Sequence, residues 1–304
     1  MLCGSDRKRV RFEQSLPTAP AGDVLHYQYF KGADGVPSNH WHYRVVQCEA
    51  CGHCFPDPIY DEKTIANSYL EQEHDNGFGL DVKLLAKTHR GYAAIAEKFL
   101  ATERALHVDV GCDTGLFLRE ARALGFKRSV GVEPGEGSAA EARQIPDVEI
   151  QQGLFRAEDF EPASVDLLSL IHVLDHLTDT RGIVRAVKPT LRNNGIVLAV
   201  VHNIASLVAR ISGNAWAPLN LVHMEYFTPS TLRRLFELEG YRVLAVESTV
   251  NHFPLDHLFR FAPFLPTAIR TPLVSLARSP GIRSLVLPLR LGNIAVVAAR
   301  SDAA

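Results

Sequence analysis

The sequence predicts an α/β protein: a doubly wound sheet of seven strands preceded by a small cysteine-rich β unit. Three observations carry this expectation. Short apolar runs alternate with amphipathic stretches from Ala105 onward, a glycine-bearing turn follows the first run, and four of the five cysteines lie within the first 54 residues. Short buried strands alternating with helices imply a parallel sheet covered on both faces.

Residues 1–60 are rich in Pro, Gly, His, Tyr and Cys, with alternating runs such as HWHYRVVQC (40–48), and read as small irregular β structure. Residues 61–104 read as a helical lead-in, with helices over 61–75 and 82–100, the second carrying Leu84, Leu85, Tyr92, Ile95 and Phe99 at helical spacing. The main domain, 105–304, opens with strand 105–110 and a helix over 115–125 closed by Gly125. Strands follow at 129–134, 148–152 and 165–171. A helix over 180–192 ends in Asn193-Asn194-Gly195, before strand 196–201. Residues 202–227 read as an insertion, 228–240 as a helix opened by Thr-Pro-Ser, and 241–248 as the sixth strand. A second insertion, 250–290, precedes the last strand at 293–300. Insertions in this half of such a sheet build substrate pockets.

Of the 304 residues 46% are apolar and 22% charged, and 34 acids against 32 Lys plus Arg leave a formal charge of −2. That balance argues against a nucleic-acid partner, which demands a basic surface. No apolar run approaches the roughly 20 residues that span a bilayer. The opening MLCGSDRKRVRF has charge without an apolar core, so no secretory signal is expected and the expected setting is the cytoplasm.

HVDVGCDTGLFL (107–118) places Gly111 and Gly115 between the first strand and its helix, where a missing Cβ lets backbone approach a ligand. Glu133 ends the second strand, where a carboxylate can accept both hydroxyls of a ribose. Together with VGVEP (130–134), FEPASVDLLSLIHVLDHL (160–177) and VKPTLRNNGIVLAVVHN (187–203), this turn resembles class I S-adenosylmethionine-dependent methyltransferases over about residues 85–250 plus the last strand. The resemblance implies an antiparallel last strand, hence a mostly parallel, Rossmann-like sheet. It also implies cofactor contacts from Asp109, Gly111, Cys112, Asp113, Gly115, Glu133, Pro134, Leu154, Phe155, Ile171 and His172. The family's third turn glycine is replaced by Asp113, which tolerates left-handed backbone. A nicotinamide oxidoreductase would carry G-x-G-x-x-G, which this turn lacks.

His172, Asp175 and His176 stand at i, i+3 and i+4 after the fourth strand; on a helix they share one face able to hold a divalent metal. The family often carries a similar run without metal. His202 and Asn203 follow the fifth strand and face the same cleft. NLVHMEYFTPSTL (220–232) resembles a segment of sugar methyltransferases whose histidine acts as general base, and His223 matches it. The family's preceding tyrosine and glutamate are absent, so oxygen methylation competes with carbon methylation. His223, with His172 and His176, is the candidate catalytic set. The implied acceptor is a small molecule, a nucleotide-activated sugar or glycan precursor.

QCEACGHC (47–54) holds C-x-x-C twice, sharing Cys51, on a spacing suited to tetrahedral zinc. The region resembles zinc-binding modules preceding some sugar methyltransferases. Candidate ligands are Cys3, Cys48, Cys51 and Cys54, with His53 or His42 as substitutes for a knuckle cysteine that would precede Cys3. Residues 253–291 carry Arg260, Arg270, Arg278, Arg283 and Arg290 against Asp256. Its prolines favour a lid over the acceptor or a homodimer contact, and its arginines an anionic lipid surface or a phosphate group. A non-catalytic cofactor-binding scaffold is the competing function.

Overall fold

The computed structural model describes residues 2–15, 42–59, 82–260, 262 and 265–301, so the helix expected over 61–75 lies outside the described residues. Strands β1 (Lys8–Phe12), β2 (Val45–Cys48) and β3 (Cys54–Pro56) form an antiparallel sheet in that order. Helix α1 (Val82–Glu97) then leads into the main sheet. Next come β4 (Leu106–Val110), α2 (Leu116–Ala121), β5 (Arg128–Glu133), α3 (Glu136–Ala142), β6 (Glu149–Gln152), β7 (Val165–Ile171), α4 (Thr180–Val187) and β8 (Leu191–His202). The chain continues through α5 (Leu207–Ser212), α6 (Pro229–Leu238), β9 (Tyr241–Ser248), β10 (Asn251–Pro254), α7 (Leu255–Arg260), α8 (Thr267–Ala277), β11 (Val286–Leu289) and β12 (Asn293–Arg300).

The seven-stranded sheet runs β6-β5-β4-β7-β8-β12-β9, with β12 antiparallel to both neighbours. The first five strands pair in parallel, as alternation with helices requires. Successive residues of β8 alternate between two cores, as a pleated strand must. Val197, Ala199 and Val201 pack with Phe227, Leu232 and Phe236, while Ile196, Leu198 and Val200 pack with Tyr92, Ile95 and Phe117 of α1 and α2. The polar strand ends are thereby left to build a site.

Local chemistry explains most boundaries. Thr228 caps α6 in a capping box with Thr231, and the Asp179 side chain accepts from Gly182 N at 2.8 Å at the start of α4. Gly125, at φ +77°, ends the helical turn after α2, as expected from the sequence. The helix expected over 180–192 is shorter. A 3₁₀ turn with Pro189 follows α4, and the chain enters β8 at Leu191. Gly195 passes so close to the Val165 carbonyl that a Cβ would sit 2.5 Å away, and the β7–β8 register shifts there.

The second insertion also departs from expectation. Besides short helices it contains the antiparallel pair β10–β11, which no sequence signal suggests, and Pro272 lies inside α8. Strand β10 rests on α1, where His252 N donates to Thr88 Oγ1 and Asn251 Nδ2 to the Tyr92 hydroxyl. The β1–β3 sheet packs on the first insertion, with Val45 and Cys54 sharing a core with Ile204, Trp216 and Tyr226. Among the described residues no helix is long and apolar enough to cross a membrane.

Candidate active site

The turn between β4 and α2 holds Gly111, Asp113 and Gly115 in left-handed backbone, at φ +67°, +48° and +76°. Asp113 thus occupies the conformation that a glycine would otherwise supply. Its N–H donates to Glu133 Oε2 at 2.9 Å, and Gly135 N donates to Glu133 Oε1 at 2.8 Å, which fixes the carboxylate at the end of β5 next to Pro134. Asp113 Oδ1 accepts from Ser138 Oγ at 2.7 Å. Cys112 is buried against Gly131, and burial pushes its thiol far up, which leaves it inert as a nucleophile.

Asp109 lies in β4, buried, with Oδ1 accepting from Ser169 Oγ at 2.5 Å. Ser169 Oγ in turn lies 2.8 Å from His107 Nε2. Burial, reinforced by the charge of Glu133, raises the Asp109 carboxyl to about 7 despite the Ser169 hydrogen bond. At the end of β6, Leu154 stands 78% exposed and Phe155 stacks on Phe160 at 5.6 Å. An apolar side chain left in water beside a fixed carboxylate suits a nucleoside, whose base needs cover and whose ribose needs an acceptor. These residues therefore fit S-adenosylmethionine.

Beyond Ile171, the end of β7, His172 sits in left-handed backbone at φ +55°. The shared helical face considered for His172, Asp175 and His176 does not form; the segment is a short 3₁₀ turn over Leu174–His176. A non-glycine residue at positive φ is uncommon, although histidine enters that region more readily than most, and such conformations concentrate at functional sites. The segment abuts the glycine turn, for a Cβ on Gly111 would meet Val173 Cγ2 at 2.7 Å.

Asp175, 1% exposed, is the centre of a ring of imidazoles. His202 Nδ1 lies 2.7 Å from its Oδ2, and His172 Nδ1 and His223 Nε2 each lie 3.9 Å from the same oxygen. The ring of His176 meets that of His223 edge-on at 4.4 Å. His223 Nδ1 faces the Pro218 carbonyl at 2.7 Å, which places its proton there and leaves the Nε2 lone pair toward Asp175. Burial would raise the Asp175 carboxyl, yet the neighbouring His172 ring and the hydrogen bond to His202 hold it well below the carboxylate range. Burial lowers His176 to about 3, His202 to about 4, and His223 as well, so neutral rings surround an ionised carboxylate near neutral pH. The structure thus brings His172, His176 and His223 together. Asp175 is the residue whose central place single-segment spacing did not reveal.

The thiols of Cys3, Cys48 and Cys51 also converge, all within 4.8 Å of one another. Cys3 Sγ lies 3.5 Å from Cys48 Sγ, and Gly52, at φ +76°, closes the turn. Although burial opposes it, the backbone N–H groups of Cys51 and Ala50 bring the Cys48 thiol down to about 7, while burial pushes Cys51 up to about 12. Cys54, expected as a fourth ligand, falls outside this group because its β3 position turns it toward Arg11, whose Nη1 donates to Sγ at 3.3 Å. His53 is held instead by the Glu225 carboxylate, and His42 Nδ1 lies 2.7 Å from the Tyr43 carbonyl. A recess of about 780 Å³ between Leu106, Arg128, Phe160 and Thr190, at the opposite end of the sheet, holds none of these groups.

Comparison with known proteins agrees with this geometry. A family profile described as a methyltransferase domain matches residues 84–246, more than half of the chain. The ubiquinone biosynthesis O-methyltransferase of Idiomarina loihiensis is 26% identical over 156 residues, which cover 47% of this chain and 64% of that protein. A chain of the complex between the Haloferax volcanii Trm112 methyltransferase activator and a methyltransferase superposes with a TM-score of 0.53 at 19% identity, covering 73% of this chain and 94% of its own. With the strand order and the family match in agreement, the chain belongs to the methyltransferase-domain family and has its class I, S-adenosylmethionine-dependent fold.

Proposed function

We propose that the protein transfers a methyl group from S-adenosylmethionine to an oxygen of a small-molecule acceptor. The observation that carries the reading is the contact between the cofactor-type turn at Gly111 and the histidine-lined segment at Val173, which sets base and methyl donor on one cleft. The cofactor, when bound, supplies an electrophilic methyl with its own leaving group. Glu133 would hold the ribose, Leu154 and Phe155 would cover the adenine, and Asp109 with the 111–115 turn would face the methionine end. The chain's task is alignment and water exclusion. His223 accepts the acceptor proton at Nε2, and the nearby Asp175 carboxylate stabilises the imidazolium that forms. His172 and His176 shape the same pocket.

Oxygen as the methylated atom is favoured by the O-methyltransferase activity for which the Idiomarina relative is named, and a nucleotide-activated sugar or glycan precursor by the resemblance of residues 220–232 to sugar methyltransferases. We place zinc on Cys3, Cys48 and Cys51, a donor set of soft thiols on a tight turn. The insertion 250–290 acts as a lid, a reading supported by the seating of β10 on α1. Reduced thiols suit the cytoplasm. The test is a screen of hydroxylated acceptors, sugar nucleotides included, for release of S-adenosylhomocysteine. Turnover that survives His223→Ala unchanged removes His223 from the mechanism, and absence of turnover with intact cofactor binding favours a scaffold.

A further inference from the structure

We propose that Asp175, His172 and His202 form a binding site for a borderline divalent transition-metal cation, separate from the thiol cluster, with His223 beside it. Four features point to a cation. The ligand atoms of His172, Asp175 and His202 lie within 4.8 Å of one another, and the individual separations from Asp175 Oδ2 are 2.7 and 3.9 Å. Donors about 2.0–2.1 Å from a tetrahedral cation lie roughly 3.4 Å apart, so small side-chain rotations close the set. Asp175 Oδ1 and His172 Nδ1 are buried without a hydrogen-bond partner among the described residues, a costly state that a cation relieves.

The outer partners have the arrangement that orients metal-binding imidazoles. His172 Nε2 lies 3.2 Å from Asn293 Nδ2; with that amide turned so that its oxygen accepts from Nε2, the Nδ1 lone pair faces Asp175. His223 Nδ1 is engaged by the Pro218 carbonyl, leaving Nε2 toward Asp175. The donor chemistry is also selective. Imidazole nitrogens with one carboxylate suit zinc, cobalt, iron or manganese better than magnesium, which prefers oxygen and water. On binding, the His202 proton passes through solvent from Nδ1 to Nε2, so the ring stays neutral and the cation takes the place of the proton at Nδ1. The three donors leave coordination positions open, and an acceptor hydroxyl bound there is more acidic and faces His223.

Cobalt(II) separates this site from the thiols, because thiolate ligation adds near-ultraviolet charge-transfer absorption that nitrogen and oxygen ligation lacks. The full-length Cys48→Ser, Cys51→Ser protein, stripped with a chelator, is titrated with cobalt(II). The expected result is one equivalent bound, with visible ligand-field bands and no thiolate absorption. Adding Asp175→Asn, or separately His202→Gln, lowers the affinity roughly tenfold or more. Zinc(II) displaces the cobalt bands. No stoichiometric cobalt binding, or binding undiminished in both variants, overturns the site and leaves a hydrogen-bonded Asp175–His202 pair. S-adenosylhomocysteine titration of the same proteins reports the methyl-transfer reading separately: intact cofactor binding without cobalt binding removes the cation and spares that reading.

Discussion

Asp109 and Asp175 invite comparison. Both carboxylates are 1% exposed, and both stand toward the C-terminal edge of the sheet, in β4 and just beyond β7. Burial alone would push both upward. Asp109 has one hydroxyl donor, Ser169, and a neighbouring negative charge at Glu133, and it rises to about 7. Asp175 is ringed by His172, His202 and His223 and is held well below the usual range. Charge in a dry site is therefore set by the donors that surround it. The molecule keeps an ionised carboxylate at Asp175 beyond β7 and, at Asp109 in β4, an acid that holds its proton up to about pH 7.

The largest effect that would break this comparison is expected at Asp175. Asp175→Asn keeps the shape and removes the charge, and methyl transfer should fall by roughly two to four powers of ten while S-adenosylhomocysteine affinity changes little. Equal loss of both would make the cluster structural rather than chemical.

Asp109 carries the opposite sign, and the pH dependence of stability reads it. Its folded pKa is raised from 3.8 to about 7, so between those values the unfolded chain has released a proton that the folded one keeps. Stability then falls as pH rises through that window, by up to about 4 kcal/mol. Chemical unfolding of Asp109→Asn should lack this fall; parallel curves for variant and wild type would show that the carboxyl ionises freely in the fold.

A third perturbation approaches Asp175 from outside. Its backbone carbonyl accepts from Met224 N and Glu225 N, and the Glu225 carboxylate is paired with His53, both side chains being buried. His53→Ala strands that carboxylate, and a loss of about 3 kcal/mol is expected in urea unfolding. A change under 1 kcal/mol would mean that water replaces His53.

Much of the fold was legible because its signals are local. Strand–helix alternation, Gly125, Thr228 and the 111–115 turn each act within a few residues, and the order of β4 to β9 followed from them. The strand start at Leu191 was missed because Leu191 pairs with Val165 across a register shift, a contact between distant residues. The β10–β11 pair joins strands about 35 residues apart and leaves no short-range turn signal. The site divides in the same way. C-x-x-C is a local pattern and pointed to Cys48 and Cys51, whereas in the Asp175 cluster residues 172–176 and 202 meet because β7 and β8 are neighbours, and His223 because Met224 N and Glu225 N bond the Asp175 carbonyl.

The smallest predicted effect bears on the central claim most directly. Calorimetric titration with S-adenosylhomocysteine should give a single site, weakened about tenfold by Glu133→Ala, a loss matching one charged hydrogen-bonding group, and unchanged by Cys48→Ser with Cys51→Ser. Absence of binding, or binding indifferent to Glu133, would contradict the assignment of the β4–β5 crevice to the cofactor.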